Sequence, residues 1–352
     1  MSHLRISAQV ATILSAIPLA MVISAGAQNS APQKSAPARK QKSGEPSRRI
    51  SLTPRFAPGQ SFRYEMEFET TTETSRTGLA SDPEGPSSLV VDWNATVRIE
   101  VLPADVGTPG GMRLRTTYEK SVASIRSDTF DPAATETALQ YHQLEGKSVE
   151  FALDAAGKVE YVSGLEGIVD SAKSAQSARE WIDQLSASAG APPGGVSVGQ
   201  TWSSEQPADS LPIAGLVWHT DSEYLRNEEC HPANSDLPAA AGTSDQSNNS
   251  EAPADCAVIL ASLNLMHSKS VRDPTPLDLR KNGVQSAGKW SGSAQGLVYV
   301  SLATGLVVSV TQTATEEMNV TLTTDRHASL HYAGTVSSRS HVALVSDDPP
   351  KQ

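Results

Sequence analysis

Ser61-Phe62-Arg63-Tyr64-Glu65-Met66-Glu67-Phe68-Glu69 and Leu89-Val90-Val91-Asp92-Trp93-Asn94-Ala95-Thr96-Val97-Arg98-Ile99-Glu100-Val101 decide the fold. In the first stretch Phe62, Tyr64, Met66 and Phe68 alternate with Arg63, Glu65, Glu67 and Glu69. In the second, Leu89, Val91, Trp93, Ala95, Val97, Ile99 and Val101 alternate with Asp92, Asn94, Thr96, Arg98 and Glu100. A period of two puts one face of a strand in a core and the other in water. Strands this clean on one face belong to antiparallel sheets, because parallel sheets are usually covered on both. The chain therefore reads as all-β and mainly antiparallel.

Outward from these strands, Ser81-Asp82-Pro83-Glu84-Gly85-Pro86 and the run from Pro103 to Gly111 are loops. Val149–Leu153 and Val159–Val162 flank Asp154-Ala155-Ala156-Gly157 and predict a hairpin, with Gly157 free to take a positive φ. One helix is expected near residues 164–189. Ser163 and Glu166 match a capping box, and Ile168, Ala172, Ala175, Ile182 and Leu185 recur at helical spacing until Gly190 and Pro192-Pro193 stop it. Beyond it the theme restarts. Ala57-Pro58-Gly59-Gln60-Ser61-Phe62 is echoed by Ser197-Val198-Gly199-Gln200-Thr201-Trp202, and the hairpin at Phe151–Val159 by Val300–Val307. Two related β units are expected, from an internal duplication, forming a curved sheet, half-barrel or sandwich and joined by one amphipathic helix.

The expected organisation is a first β unit over 51–166, a connecting helix over 167–190, and a second unit over 191–345 with an inserted loop at 231–255. Residues 346–352 read as a disordered tail. Residues 1–27 read as an export signal. His3 and Arg5 precede an apolar run from Val10 to Ile23, and Ala25-Gly26-Ala27 offers a cleavage site. An uncleaved leader acting as an anchor is the alternative. Residues 28–50 hold Ala, Pro, Ser, Gln and basic residues with almost no large apolar side chain, which predicts a disordered basic linker. It serves either as a spacer or as a tether to anionic envelope polymers. No later segment approaches the roughly 18 apolar residues that a membrane-spanning helix needs.

The string Pro193-x-x-Val196-x-x-Gly199-Gln200-Thr201-Trp202, following a Leu-Asp-x-x-Gly-x-Val hairpin, resembles an uncharacterised family of exported bacterial β-rich proteins. The resemblance spans most of residues 57–322, with Gln200 standing where that family favours Asp. In architecture alone the layout is similar to the half-barrel lipoprotein carriers of the cell envelope. Neither resemblance carries an active site, so no residue role comes with it.

The net charge is −11, and Arg5, Lys34, Arg39, Lys40, Lys42, Arg48 and Arg49 all fall in the first fifty residues against one acid, Glu45. The body is thus more acidic than the whole chain, which argues against nucleic acid as a partner. Aromatics make up 5% of the residues, so Val, Leu, Ile and Ala must build the core.

Cys230 and Cys256 are the two cysteines, bracketing the polar loop 231–255 in a chain bound for an oxidising space, and a disulfide between them is expected. A metal site of Cys230, His231 and Cys256 would lack a fourth ligand. His327 and His331 are four apart, with His341 following, but no Glu stands beside His327 as the zinc-protease pattern requires. Ser286-Ala287-Gly288-Lys289 fits Ser-x-x-Lys without a following Lys-Thr-Gly. Asp and Glu sit mostly at positions expected to face water. No catalytic residue, metal or cofactor is therefore assigned. The expected function is an exported, non-catalytic envelope module binding an apolar small molecule or envelope component, in a cleft lined by Trp93, Tyr118, Trp218 and Tyr299. A hydrolase with an unrecognised site and a purely structural surface protein are the alternatives.

Overall fold

The structure, a computed structural model, describes residues 49–52, 54–78, 86–103, 112–128, 138–153, 159–164, 191–192, 194–209, 211–230, 255–268, 273–325 and 328–348. The strands are β1 (Ser61–Thr77), β2 (Pro86–Leu102), β3 (Met112–Ser127), β4 (Ser148–Leu153), β5 (Val159–Ser163), β6 (Thr201–Pro207), β7 (Leu216–Glu229), β8 (Asp255–His267), β9 (Val284–Ser301), β10 (Val307–Thr324) and β11 (Ser329–Asp348). Among the described residues two short helices interrupt them, α1 at 138–142 and α2 at Leu277–Lys281.

All eleven strands form one sheet in the order β5-β4-β3-β2-β1-β11-β10-β9-β8-β7-β6. Every neighbouring pair is antiparallel. A single sheet removes the sandwich from the expected architectures. It is a meander whose first and last strands pair at the centre, and its two edges, β5 and β6, are consecutive in the chain. The segment between those edges includes the expected connecting helix, of which residues 165–190 lie outside the described residues. The leader, almost all of the basic linker and the loop 231–254 lie outside them as well.

Alternation decides which side chains are buried. On β10, Val310, Gln312, Ala314, Glu316, Met318 and Val320 are buried while Thr311, Thr313, Thr315, Glu317 and Asn319 face water. The same parity runs across the sheet and defines one inner face. At one end of that face Leu216, Leu265, Val284, Trp290, Met318 and Leu322 form a core with Leu211 and Ile213 from the β6–β7 loop. At the other end Tyr224, Ile259, Val298, Val307 and Val310 pack with Leu52 and Val196. Phe62, Val101, Leu114, Val149, Phe151 and Leu306 extend this second end across β1–β4. Full burial of each such side chain contributes about 1.5–3 kcal/mol, so these clusters dominate the stability.

The chain before β1 reaches across to the β6 side. Ile50 N–H donates to Val196 O and Val196 N–H to Ile50 O, both at 2.8 Å, and Arg55 N–H donates to Thr304 O at 2.7 Å. Leu52 is carried into the core by this strap.

The two sequence echoes have matching backbone settings. Gly59 and Gly199 both take positive φ, 86° and 80°. Gly59 N–H donates to Val101 O at 2.8 Å, and Val101 N–H returns to Gln60 O at 2.9 Å. Gly199 N–H donates to Tyr224 O at 2.7 Å, and Tyr224 N–H returns to Gln200 O at 3.0 Å. In each place the glutamine Oε1 also accepts from the backbone N–H three residues earlier, Ala57 at 2.6 Å and Ser197 at 3.2 Å. The element order matches too: β1-β2-β3-α1-β4-β5 and β6-β7-β8-α2-β9-β10, with β11 added.

The expected tail at 346–352 is corrected at its start. β11 continues to Asp348 because Ser346, Asp347 and Asp348 pair with Arg63, Phe62 and Ser61 at the beginning of β1.

Candidate functional site

Between the apolar ends, the middle of the inner face is built from small and polar residues. β10 and β9 meet there as Gln312 opposite Gly296, Ala314 opposite Ala294, and Glu316 opposite Gly292. On the other side of β10, Gln312 faces Ser340, Ala314 faces Ser338 and Glu316 faces Val336. Both long polar side chains are thus set against glycines. A Cβ at Gly292 would lie 2.8 Å from Trp218 Cη2 and 3.0 Å from Glu316 Cγ. One at Gly296 would lie 3.3 Å from Gln312 Cβ. The missing side chains make room for Glu316 and Gln312 to lie across β9.

Glu316 is only 4% exposed. Trp290 Nε1 donates to its Oε2 at 2.8 Å. Desolvation raises the Glu316 carboxyl above the ordinary glutamate value, against the smaller opposing effect of the Trp290 hydrogen bond. Gln312 is 3% exposed, and its Oε1 has no hydrogen-bond partner among the described residues. This overturns, for Glu316, the expectation that acids face water. Tertiary register placed it on the buried side, and polar residues on both parities of β10, Gln312 on one and Thr311, Thr313, Thr315 and Glu317 on the other, hid which side that is.

In the first unit the corresponding middle is aromatic. Phe68 stacks on Trp93 with ring centroids 5.2 Å apart, and Trp93 packs against Tyr118 and Tyr141 at 6.4 and 5.3 Å. Trp93 Nε1 donates to Ser121 Oγ at 3.0 Å, which in turn donates to Tyr141 O at 2.6 Å. Burial, with a lesser push from Tyr141, drives the Tyr118 hydroxyl up to about 12.

The outer face of this unit holds an arginine–carboxylate ladder. Arg63 meets Glu119 at 2.6 Å, Arg98 meets Glu119 at 3.3 Å, and Arg113 and Arg115 meet Glu150 at 2.9 and 2.6 Å. The Arg63 hydrogen bond holds Glu119 below the ordinary range, and the Arg115 hydrogen bond does the same for Glu150.

The expected ligand-lining set is brought together only in part. Trp93, Tyr118 and Trp218 have inward register, whereas Tyr299 lies between inward Val298 and Val300 and shares the other face with Glu228. Cys230 and Cys256 form the expected disulfide, with Cα atoms 5.1 Å apart. Such a bond suggests an exported or envelope location.

Ser286 is buried, donating its N–H to Thr275 Oγ1 at 3.1 Å and its Oγ–H to Pro274 O at 3.3 Å. Lys289, three residues on, points to the opposite, exposed face. The Ser-x-x-Lys pair is therefore not assembled.

His327 lies outside the described residues. His331 and His341 hydrogen-bond to Thr321 and Thr311, both at 3.1 Å. Ten residues of strand separate the two histidines, about 33 Å. Among the described residues no group of three or more His, Cys, Asp or Glu is placed to hold a metal ion. No helix among them is long and apolar enough to cross a membrane.

No family model and no curated protein matches the chain. Among solved structures, an outer membrane channel from Pseudomonas putida F1 aligns over 87% of this chain and 100% of its own, at 9% identity and a TM-score of 0.22. OpdQ from Pseudomonas aeruginosa aligns over 81% of this chain and 99% of its own, at 8% identity and a TM-score of 0.21. At such TM-scores the pairings do not establish a common fold, and no functional statement follows from them.

Proposed function

We propose that the protein is a non-catalytic exported module of the cell envelope that binds an apolar molecule against the inner face of its sheet. One observation carries this reading. The inner face has apolar clusters at both ends and, between them, a strip of small residues into which the polar side chains of Gln312 and Glu316 are set. The separation of Ser286 from Lys289 onto opposite faces removes the one nucleophile pattern in the sequence and supports a role without catalysis. We further read β1–β5 and β6–β10 as copies of one ancestral unit, on the strength of the matched Gln60 and Gln200 settings.

The test is to purify the full chain from the compartment to which it is exported and extract it with organic solvent. Mass spectrometry should find an apolar molecule approaching one per chain. The emptied protein should then take up N-phenyl-1-naphthylamine saturably. An empty extract together with no saturable uptake would overturn the binding role and leave a structural one.

A further inference from the structure

Gln312 and Glu316 present hydrogen-bonding capacity that no described residue uses. Both side chains are more than nine-tenths buried on the inner face of β10. Among the described residues the Gln312 Oε1 has no partner, and Trp290 alone hydrogen-bonds Glu316. A buried amide without its partner is costly, and native interiors retain few of them. Opposite each stands a glycine, Gly296 and Gly292, so the two groups lie across a strip of β9 that bears no side chain of its own at those positions, with the Trp218 ring reaching over Gly292.

The chemistry of the surroundings narrows what can meet them. Ala294, Ala314, Val336, Ser338 and Ser340, the facing and intervening positions, supply no cation. A carboxylate or phosphate headgroup would be stripped of water there with no opposite charge to balance it. Desolvation also favours the neutral form of Glu316, which then both donates and accepts, as an amide does.

We propose that Gln312 and Glu316 form the polar recognition point of the inner-face site, and that its ligand is an elongated apolar molecule bearing an uncharged group that both donates and accepts hydrogen bonds, a carboxamide or an alcohol. This rests on the binding role proposed for the inner face.

The test is displacement of N-phenyl-1-naphthylamine from the full chain by hexadecanamide, 1-hexadecanol and hexadecanoate, which share a chain and differ in the head. The amide and the alcohol should each displace the probe at about tenfold lower concentration than hexadecanoate, the difference expected of one buried charge-free hydrogen bond. Gln312→Leu should abolish that preference while still binding the probe. Glu316→Gln should keep it and Glu316→Leu should reduce it, which reads the same point should Gln312→Leu fail to fold. Equal displacement by all three, a preference for hexadecanoate, or a preference unchanged in both leucine variants would overturn this assignment, and ordered water would then be the partner of Gln312. Failure of the wild-type chain to bind the probe at all would instead overturn the binding role itself.

Discussion

The two units share a backbone plan and hold it by different means. The first, β1–β5, packs aromatic rings around Trp93 inside and crosses its outer face with arginine–carboxylate pairs. The second, β6–β10, closes the end of its β7–β8 pair with a disulfide and thins its interior to Ala and Gly around a buried acid. A Gln-anchored strand start recurs unchanged in both. The lesson is that one set of hydrogen bonds can start two strands while the side chains that fill the sheet behind them differ, most of all where one unit keeps polar groups buried.

Four experiments would break or sharpen this contrast, beginning with the largest effect. Phe62 and Trp202 hold equivalent places after Gln60 and Gln200, but Phe62 is fully buried in a central strand and Trp202 is half-buried on the edge strand β6. Phe62→Ala should cost about 3–5 kcal/mol in denaturant unfolding, and Trp202→Ala clearly less. Equal losses would mean that the edge unit is as tightly packed as the centre.

Replacing both cysteines by serine should cost about 3.5 kcal/mol by the chain-entropy relation. Hydrogen exchange should quicken first in β7 and β8. Uniform quickening across β1–β5 would show that the units do not open separately.

Next comes the pH response, which should differ in sign between units. Glu316 has a raised folded value, so its protonated form is the one the fold favours. Stability is then greatest below the ordinary glutamate value of 4.5 and is lost as pH rises through the folded one. Glu316→Gln should therefore stabilise the protein increasingly above that value and change little below it. Glu119 and Glu150 are lowered, so their contribution is present above 4.5 and lost as pH falls through the folded values. These pairs are partly exposed, and Glu150→Gln should cost less than about 1 kcal/mol at neutral pH. A Glu316→Gln protein no more stable than wild type at pH 8 would contradict the assigned burial.

The last comparison is Gln60→Ala against Gln200→Ala. Each removes one side-chain acceptor from a matched turn and should cost about 1 kcal/mol. Thermal melts that differ by several-fold would argue that the two turns are alike in geometry and unlike in role.

Much of this was legible in the sequence. Clean alternation at Phe62–Phe68 and Leu89–Val101 gave strands with the right inward residues, because there the apolar and polar sets do not mix. Cysteine count and the expected export signal sufficed for the disulfide. The inner-face polar pair was not legible, since Thr311 to Glu317 is polar on both parities and only pairing with β9 and β11 reveals which side is buried. A usable signal did exist: Gly292 and Gly296 are spaced as Gln312 and Glu316 are, and glycine inside a long strand marks close approach by something on the neighbouring one. Tyr299 was misplaced for the opposite reason. Leu297 to Val300 is apolar on both parities, so aromatic character alone could not assign it a face.

The central pairing of β1 with β11 bears on how the chain reaches its native state. Ser61 and Asp348 are partners, so the innermost ladder of the sheet joins the first-made and last-made strands of the body. Contacts of such long sequence separation form slowly. Until the final strand has emerged, β1 and β10 each expose an unsatisfied edge, the kind of template that recruits other chains. A circular permutant that joins 348 to 49 through a flexible linker, so that the strap is kept, and opens the chain between β5 and β6 would turn this slowest closure into a local one. It should refold faster than the natural order and aggregate less while doing so.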